Sequence, residues 1–159
     1  MRPTLLSLAT VLALGGTSIA FAMGPTSDPP AATKAGDQDF AKAKAMVEAK
    51  DYKGAIPLLQ QVVAKDTKNA DAFNLLGFAT RKSGDAAGSL QYYTQALALD
   101  PKHVGAHEYV GQAYLMMGRL PDAEQHLAKL DALCVFGCAE HRSLKAAIAD
   151  FKAGKPLTN

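Results

Sequence analysis

The sequence predicts an all-α protein, a stack of helix pairs closed by one further helix, and three observations predict it. Residues 70–103, ADAFNLLGFATRKSGDAAGSLQYYTQALALDPKH, split at Gly84-Asp85 into two stretches. In the first, Phe73, Leu76, Ala79 and Thr80 recur at helical spacing; in the second, Leu90, Tyr93, Ala96 and Leu97 do so. The same pattern returns in phase 34 residues earlier and 34 residues later. Behind the last copy, Leu144, Ala147, Ile148 and Phe151 stand at i, i+3, i+4 and i+7, with Glu140, Arg142, Lys145, Asp150 and Lys152 on the opposite face.

Residues 1–22 obey different rules. Arg2 is their one charge, the run from Leu5 to Ile19 is apolar, and Ala20-Phe21-Ala22 has the A-x-A form of a cleavage site. The run is short for a membrane span, which needs about 20 residues. We therefore expect a cleaved signal peptide, a mature chain starting at Met23, and export, to the periplasm of a Gram-negative bacterium. Residues 23–35, with three prolines and no apolar period, are expected to be a flexible lead.

The repeat region then runs over residues 36–69, 70–103 and 104–137. The first copy is degenerate: Ala43, Ala55, Leu59 and Val62 keep the phase, but Lys50 takes the place held by Gly84 in the second copy. Pro57 lies past the first turn of a helix starting near Tyr52, which implies a kink or a start nearer Ala55. Gly77 and Ser89 stand where the two helices of the second copy would cross, because a larger side chain would hold the backbones apart. In the third copy His107, Val110-Gly111, Tyr114, Gly118, Ala123 and Leu127 occupy the repeated places. Gly84 and Gly118 suit left-handed helix ends, and Pro121 suits a helix start. Residues 138–153 form the cap, needed because the last pair would otherwise leave its apolar face in water. Residues 154–159 are a tail.

An aromatic, Leu-Gly, a helix-ending Gly, a small residue, an aromatic, Ala and Pro at Phe73, Leu76-Gly77, Gly84, Ser89, Tyr93, Ala96 and Pro101 resemble the tetratricopeptide repeat. The resemblance implies a right-handed α-α superhelix whose first helices line a concave groove that holds a segment of another protein. Carried onto this chain, the groove positions include Lys44 in the first copy, Asn74, Phe78, Arg81 and Lys82 in the second, and Gln112 and Met116 in the third, with Glu108 and Leu115 on the same helix. Phe78 either offers its ring to a ligand or packs on a neighbouring repeat. Some members grip a terminal carboxylate with a Lys/Asn/Arg set; the matching places here hold Phe40, Lys44, Leu75, Gly105 and Tyr109, so that use is not implied.

Composition excludes more than it selects. Seventeen basic against fifteen acidic residues give a net charge of +2, too little for a nucleic-acid footprint or a polybasic membrane patch. No glycine-rich phosphate loop, catalytic triad or cofactor motif occurs, so the sequence points to a binding module and neither to an enzyme nor to a cofactor. The two cysteines, Cys134 and Cys138, fall where the third copy meets the cap. In an exported chain they are expected to form a disulfide that fixes how the cap approaches. The competing reading is a metal-handling or thiol-redox accessory protein, with Cys134, Cys138 and His141 as soft-metal ligands. His103 and His107 share a face only if a helix begins by His103.

Overall fold

A computed structural model describes residues 31–157, and side chains from residue 36 onward. The signal-peptide reading of residues 1–22, and the lead over 23–30, lie outside the described residues. Among the described residues seven helices follow one another: α1 (Ala31–Glu48), α2 (Tyr52–Lys65), α3 (Ala70–Lys82), α4 (Ala86–Leu99), α5 (Val104–Met116), α6 (Leu120–Leu133) and α7 (Ala139–Lys152). There is no strand among the described residues. α1 starts at Ala31, so residues 31–35, expected as part of the lead, are helical.

Each hairpin forms for reasons visible in its turn. Asp51, Asn69, Asp85 and His103 cap helix starts, each side chain accepting the N–H three residues on, at 3.0, 2.9, 2.7 and 3.2 Å. The first helices end in a paired cap. Gly84 N–H donates to Arg81 C=O while Asp85 N–H reaches back to Thr80 C=O, and Gly118 and Arg119 repeat this on Leu115 and Tyr114. Gly84 and Gly118 supply the positive φ at +109° and +74°. In the degenerate first copy Lys50 adopts the same conformation at φ 63°, the one non-glycine residue to do so among the described residues.

Pro57 sits within α2, which starts at Tyr52 and not nearer Ala55. The proline leaves Lys53 C=O without its helical donor, but both residues are exposed, so water satisfies the carbonyl.

The hairpins stack in order, and α3 touches both α1 and α5 while α2, α4 and α6 do not touch one another. The odd-numbered helices therefore lie on the inner side of the curve, as in a tetratricopeptide superhelix. Small residues set the spacing: Ala43, Ala55, Ala79, Ser89, Ala96, Ala113 and Ala123 are all fully buried. A Cβ on Gly77 would stand 2.6 Å from the Tyr93 ring, so the α3–α4 crossing needs the glycine. Leu59, Leu76, Tyr93, Leu115, Leu130 and Leu144 fill the core along the stack.

The cap breaks the pattern in one respect. Of the preceding pair, each first helix in the repeats meets the second helix more than the first, whereas α7 leans more on α5 than on α6. Leu144 and Ile148 are buried there, and Ala147 and Phe151 are half-buried beside them, which is the stripe read from the sequence.

Candidate functional site

The lean of α7 onto α5 closes one end of the concave face and leaves a cavity of about 220 Å³. Its walls are Arg81 at the end of α3, Gln112, Leu115 and Met116 on α5, Ser143, Ala146, Ala147 and Asp150 on α7, and Leu157 from the tail. Gly154, at φ +66°, turns the chain at the end of α7, and Lys155 N–H closes on Asp150 C=O, which directs the tail back to this wall. Walls of Leu, Met and Ala with one guanidinium, an amide, a hydroxyl and a carboxylate describe a pocket for an amphipathic group. Its volume is below the roughly 300–1,000 Å³ of sites that enclose a drug-sized ligand or cofactor, and suits one or two side chains.

Arg81 is the unusual member. It is 2% exposed, and its Nε has no acceptor. Nη1 meets only the Met116 thioether, at 3.8 Å. The guanidinium carbon lies 5.5 Å from the Phe78 ring centre and 5.6 Å from that of Tyr109. Such cation–π contacts return about 0.5–2 kcal/mol, against several kcal/mol for removing a charge from water. No carboxylate comes within ion-pair distance of Arg81 among the described residues. Glu108, the buried acid on α5, accepts from Gln112 Nε2 at 2.8 Å, and burial raises its pKa. Asp150 is paired with Lys155 at 3.0 Å. Two further buried polar atoms lack partners, the Tyr93 hydroxyl and Asn74 Oδ1. Burial also raises the pKa of the Tyr93 phenol, so the hydroxyl keeps its proton to donate.

Of the seven groove residues read from the sequence, Arg81, Gln112 and Met116 come together at this cavity. Phe78 packs between neighbours, its ring 5.9 Å from Tyr52 and 4.8 Å from Tyr109, and stays half-buried, so inter-repeat packing takes up part of its ring. Lys82 lies at the other side of Phe78, 5.9 Å from the Tyr52 ring, near Lys50 and Asp51 and away from the cavity. Burial, then Arg81, then Lys50 lower its pKa. Asn74 lies against Gly105 of α5 and Lys44 is exposed on α1; neither lines the cavity. Leu115 is 1% exposed and belongs to the core more than to a ligand surface.

Sequence reasoning missed the wall supplied by α7 and Leu157. Ser143, Ala146 and Asp150, at i, i+3 and i+7 beside the apolar stripe, were the available signal: short side chains there leave space where a regular repeat would fill it.

Cys134 and Cys138 are joined by a disulfide. Cys134 ends α6 and Cys138 caps α7, with Gly137 at φ +80° between them, so the bond ties the two helix ends. Paired in this way the sulfurs offer no thiolate to a metal, and His141 is engaged with Asp131 at 2.6 Å. The histidines diverge: His103 caps α5 and meets Asp71 at 3.0 Å, while His107 contacts Pro101 C=O and His126.

A chain of stacked helix pairs with a concave face ending in a side-chain-sized pocket is a helical-repeat domain by architecture. The helix pairs stack as an all-α tetratricopeptide superhelix. The tetratricopeptide repeat model matches residues 81–148. Protein FlbA of Caulobacter vibrioides is 39% identical over 64 residues, 40% of this chain and 11% of that one. Human protein O-mannosyl-transferase TMTC3 is 28% identical over 75 residues, 47% of this chain and 8% of that one. The chain thus spans about a tenth of the length of these curated relatives. Among solved structures, the Yersinia enterocolitica type III secretion chaperone SycD with a peptide of the translocator YopD superposes with a TM-score of 0.66 at 18% identity, over 76% of this chain and 92% of that one. PcrH with the chaperone-binding region of PopD gives 0.69 at 20% identity, over 78% and 96%. The second tetratricopeptide domain of human RPAP3 with an HSP70 peptide gives 0.68 at 20%, over 74% and 98%.

Proposed function

We propose that this chain is a non-catalytic binding module of the cell envelope that docks a segment of a partner protein in the groove formed by α1, α3 and α5 and stopped by α7. The observation that carries the reading is the cavity of about 220 Å³ at the closed end of the groove, where Arg81, Gln112 and Met116 from two successive repeats meet the cap. The fold supports it as well: SycD, PcrH and RPAP3, which share it, were each solved holding a peptide. The envelope location rests on the leader pattern of residues 1–22.

A photo-crosslinking amino acid placed at Gln112, inside the groove, and in a second variant at Gln95, exposed on α4, tests the docking site. We expect a discrete adduct from Gln112 in intact cells and none from Gln95. Equal labelling from both faces would remove the groove from the reading. N-terminal sequencing of the protein recovered from the periplasmic fraction tests export, with Met23 as the expected first residue.

A further inference from the structure

Arg81 is a buried cation that the fold does not neutralise. Its guanidinium lines the cavity between α3, α5 and α7, its Nε has no acceptor, and Nη1 lies 3.8 Å from the Met116 thioether, with the Tyr93 hydroxyl close enough to act on it. Of the nearby acids, Asp150, which lines the cavity, pairs with Lys155, and Glu108, outside the lining, accepts from Gln112. The unpartnered Tyr93 hydroxyl adds a buried donor in the same helix pair. Opposite this polar corner, Leu115, Met116, Ala147 and Leu157 give the cavity an apolar wall. A guanidinium buried among ring faces, a thioether and a phenol, with no carboxylate paired to it, suits a carboxylate ligand, the acceptor whose geometry matches its planar N–H fork.

We propose that the partner segment carries an acidic side chain whose carboxylate seats on Arg81, with a large apolar side chain next to it against Met116, Ala147 and Leu157. The inference rests on the peptide-docking reading above and specifies its ligand. The cation comes from the last turn of α3, and not from the places that serve the terminal-carboxylate grip in related domains, which hold Phe40, Leu75, Gly105 and Tyr109 together with Lys44. An acidic side chain within the segment can reach this place without a free chain end.

The test is selection of a random peptide library displayed on phage against residues 23–159, followed by affinity measurement with synthetic versions of the winners. We expect Asp or Glu next to Leu, Ile, Met or Phe to be enriched. Changing that acid to its amide should weaken binding about tenfold or more, with stronger loss at low salt than at high salt. The Arg81→Met variant should bind the acid and amide peptides alike. The peptide-side change leaves the protein untouched, so it decides the matter even if Arg81→Met folds poorly. Winners that lack an acid, or that bind equally well as amides, would overturn this inference and leave peptide docking standing. A selection with no winners would overturn both.

Discussion

Leu144 of the cap lies directly on Gly111 of α5: a Cβ at Gly111 would stand 2.5 Å from Leu144 Cδ2. In the preceding repeat the equivalent glycine, Gly77, receives Tyr93 from its own hairpin partner, so the third repeat has lent this contact to α7. That loan draws α7 onto α5 and forms the end wall of the groove. Gly111→Ala should therefore force α7 outward, costing about 1–3 kcal/mol of stability by overpacking. The cavity should change with it. Urea midpoints and peptide affinity measured on the same variant check this; a variant as stable as the parent would show that the cap is not seated through Gly111.

Lys50 offers the opposite experiment. It holds φ 63° at a helix end where the later repeats use glycine, and its N–H donates to Val47 C=O at 2.9 Å while Asp51 N–H donates to Met46 C=O at 2.9 Å. Relief of left-handed strain outweighs the extra freedom of glycine in the unfolded chain, so Lys50→Gly should stabilise the protein by about 0.5–1 kcal/mol. It should also move the Lys82 amine back toward its ordinary pKa, since Lys50 is one of the charges that lowers it. A thermal melt and NMR titration of Lys82 read the two effects separately, and loss of stability would contradict the strain argument.

The repeats were legible because their small residues and caps obey local rules: Gly77, Ser89, Gly84 and Gly118 each do in the fold what their spacing implies. The groove face of α3 and α5 was legible for the same reason, and Arg81, Gln112 and Met116 follow from it. What the helical period could not reveal is how far a cap departs from the repeat it replaces. The face of α7 bearing Ser143 and Ala146 reads as solvent-facing until α7 is seen to lean on α5. Phe78 was ambiguous because its burial depends on Tyr52 and Tyr109, one in each neighbouring repeat, and neither distance is written in local spacing. Residues 31–35 read as a lead because they lack an apolar period, yet α1 extends through them.

The disulfide between Cys134 and Cys138 closes a ring too short to restrict the unfolded chain greatly, so its loss should cost about 2 kcal/mol at most. The effect on shape should be local. Val135 and Phe136, 78% and 101% exposed, sit within the ring and contribute nothing to the core, while Leu144 and Ile148 hold α7 in place. A double Cys134→Ser, Cys138→Ser variant should keep its helix content and fold at a lower urea midpoint. Collapse of the whole domain would mean that the bond, and not the Leu144 contact, seats the cap.

The pair His107 and His126 makes stability depend on pH. Their Nδ1 atoms are 3.0 Å apart, and His107 Nε2 is 3.1 Å from Pro101 C=O. A carbonyl only accepts, so with both rings uncharged His107 carries its proton on Nε2, and His126 Nδ1–H donates to His107 Nδ1. Burial first, then the His107 ring, pushes the His126 pKa down to about 4. In the unfolded chain the same ring titrates near about 6.5. Between these values the unfolded state binds more protons than the native one, so stability is complete above that upper value and declines as the pH falls toward the lower. Allowing for the solvent that still reaches His126, the loss should be about 1–2 kcal/mol. His126→Gln keeps an N–H for His107 and cannot titrate. Urea midpoints measured from neutral to acid pH should therefore fall less steeply for His126→Gln than for the parent; parallel curves would assign the acid sensitivity to other groups.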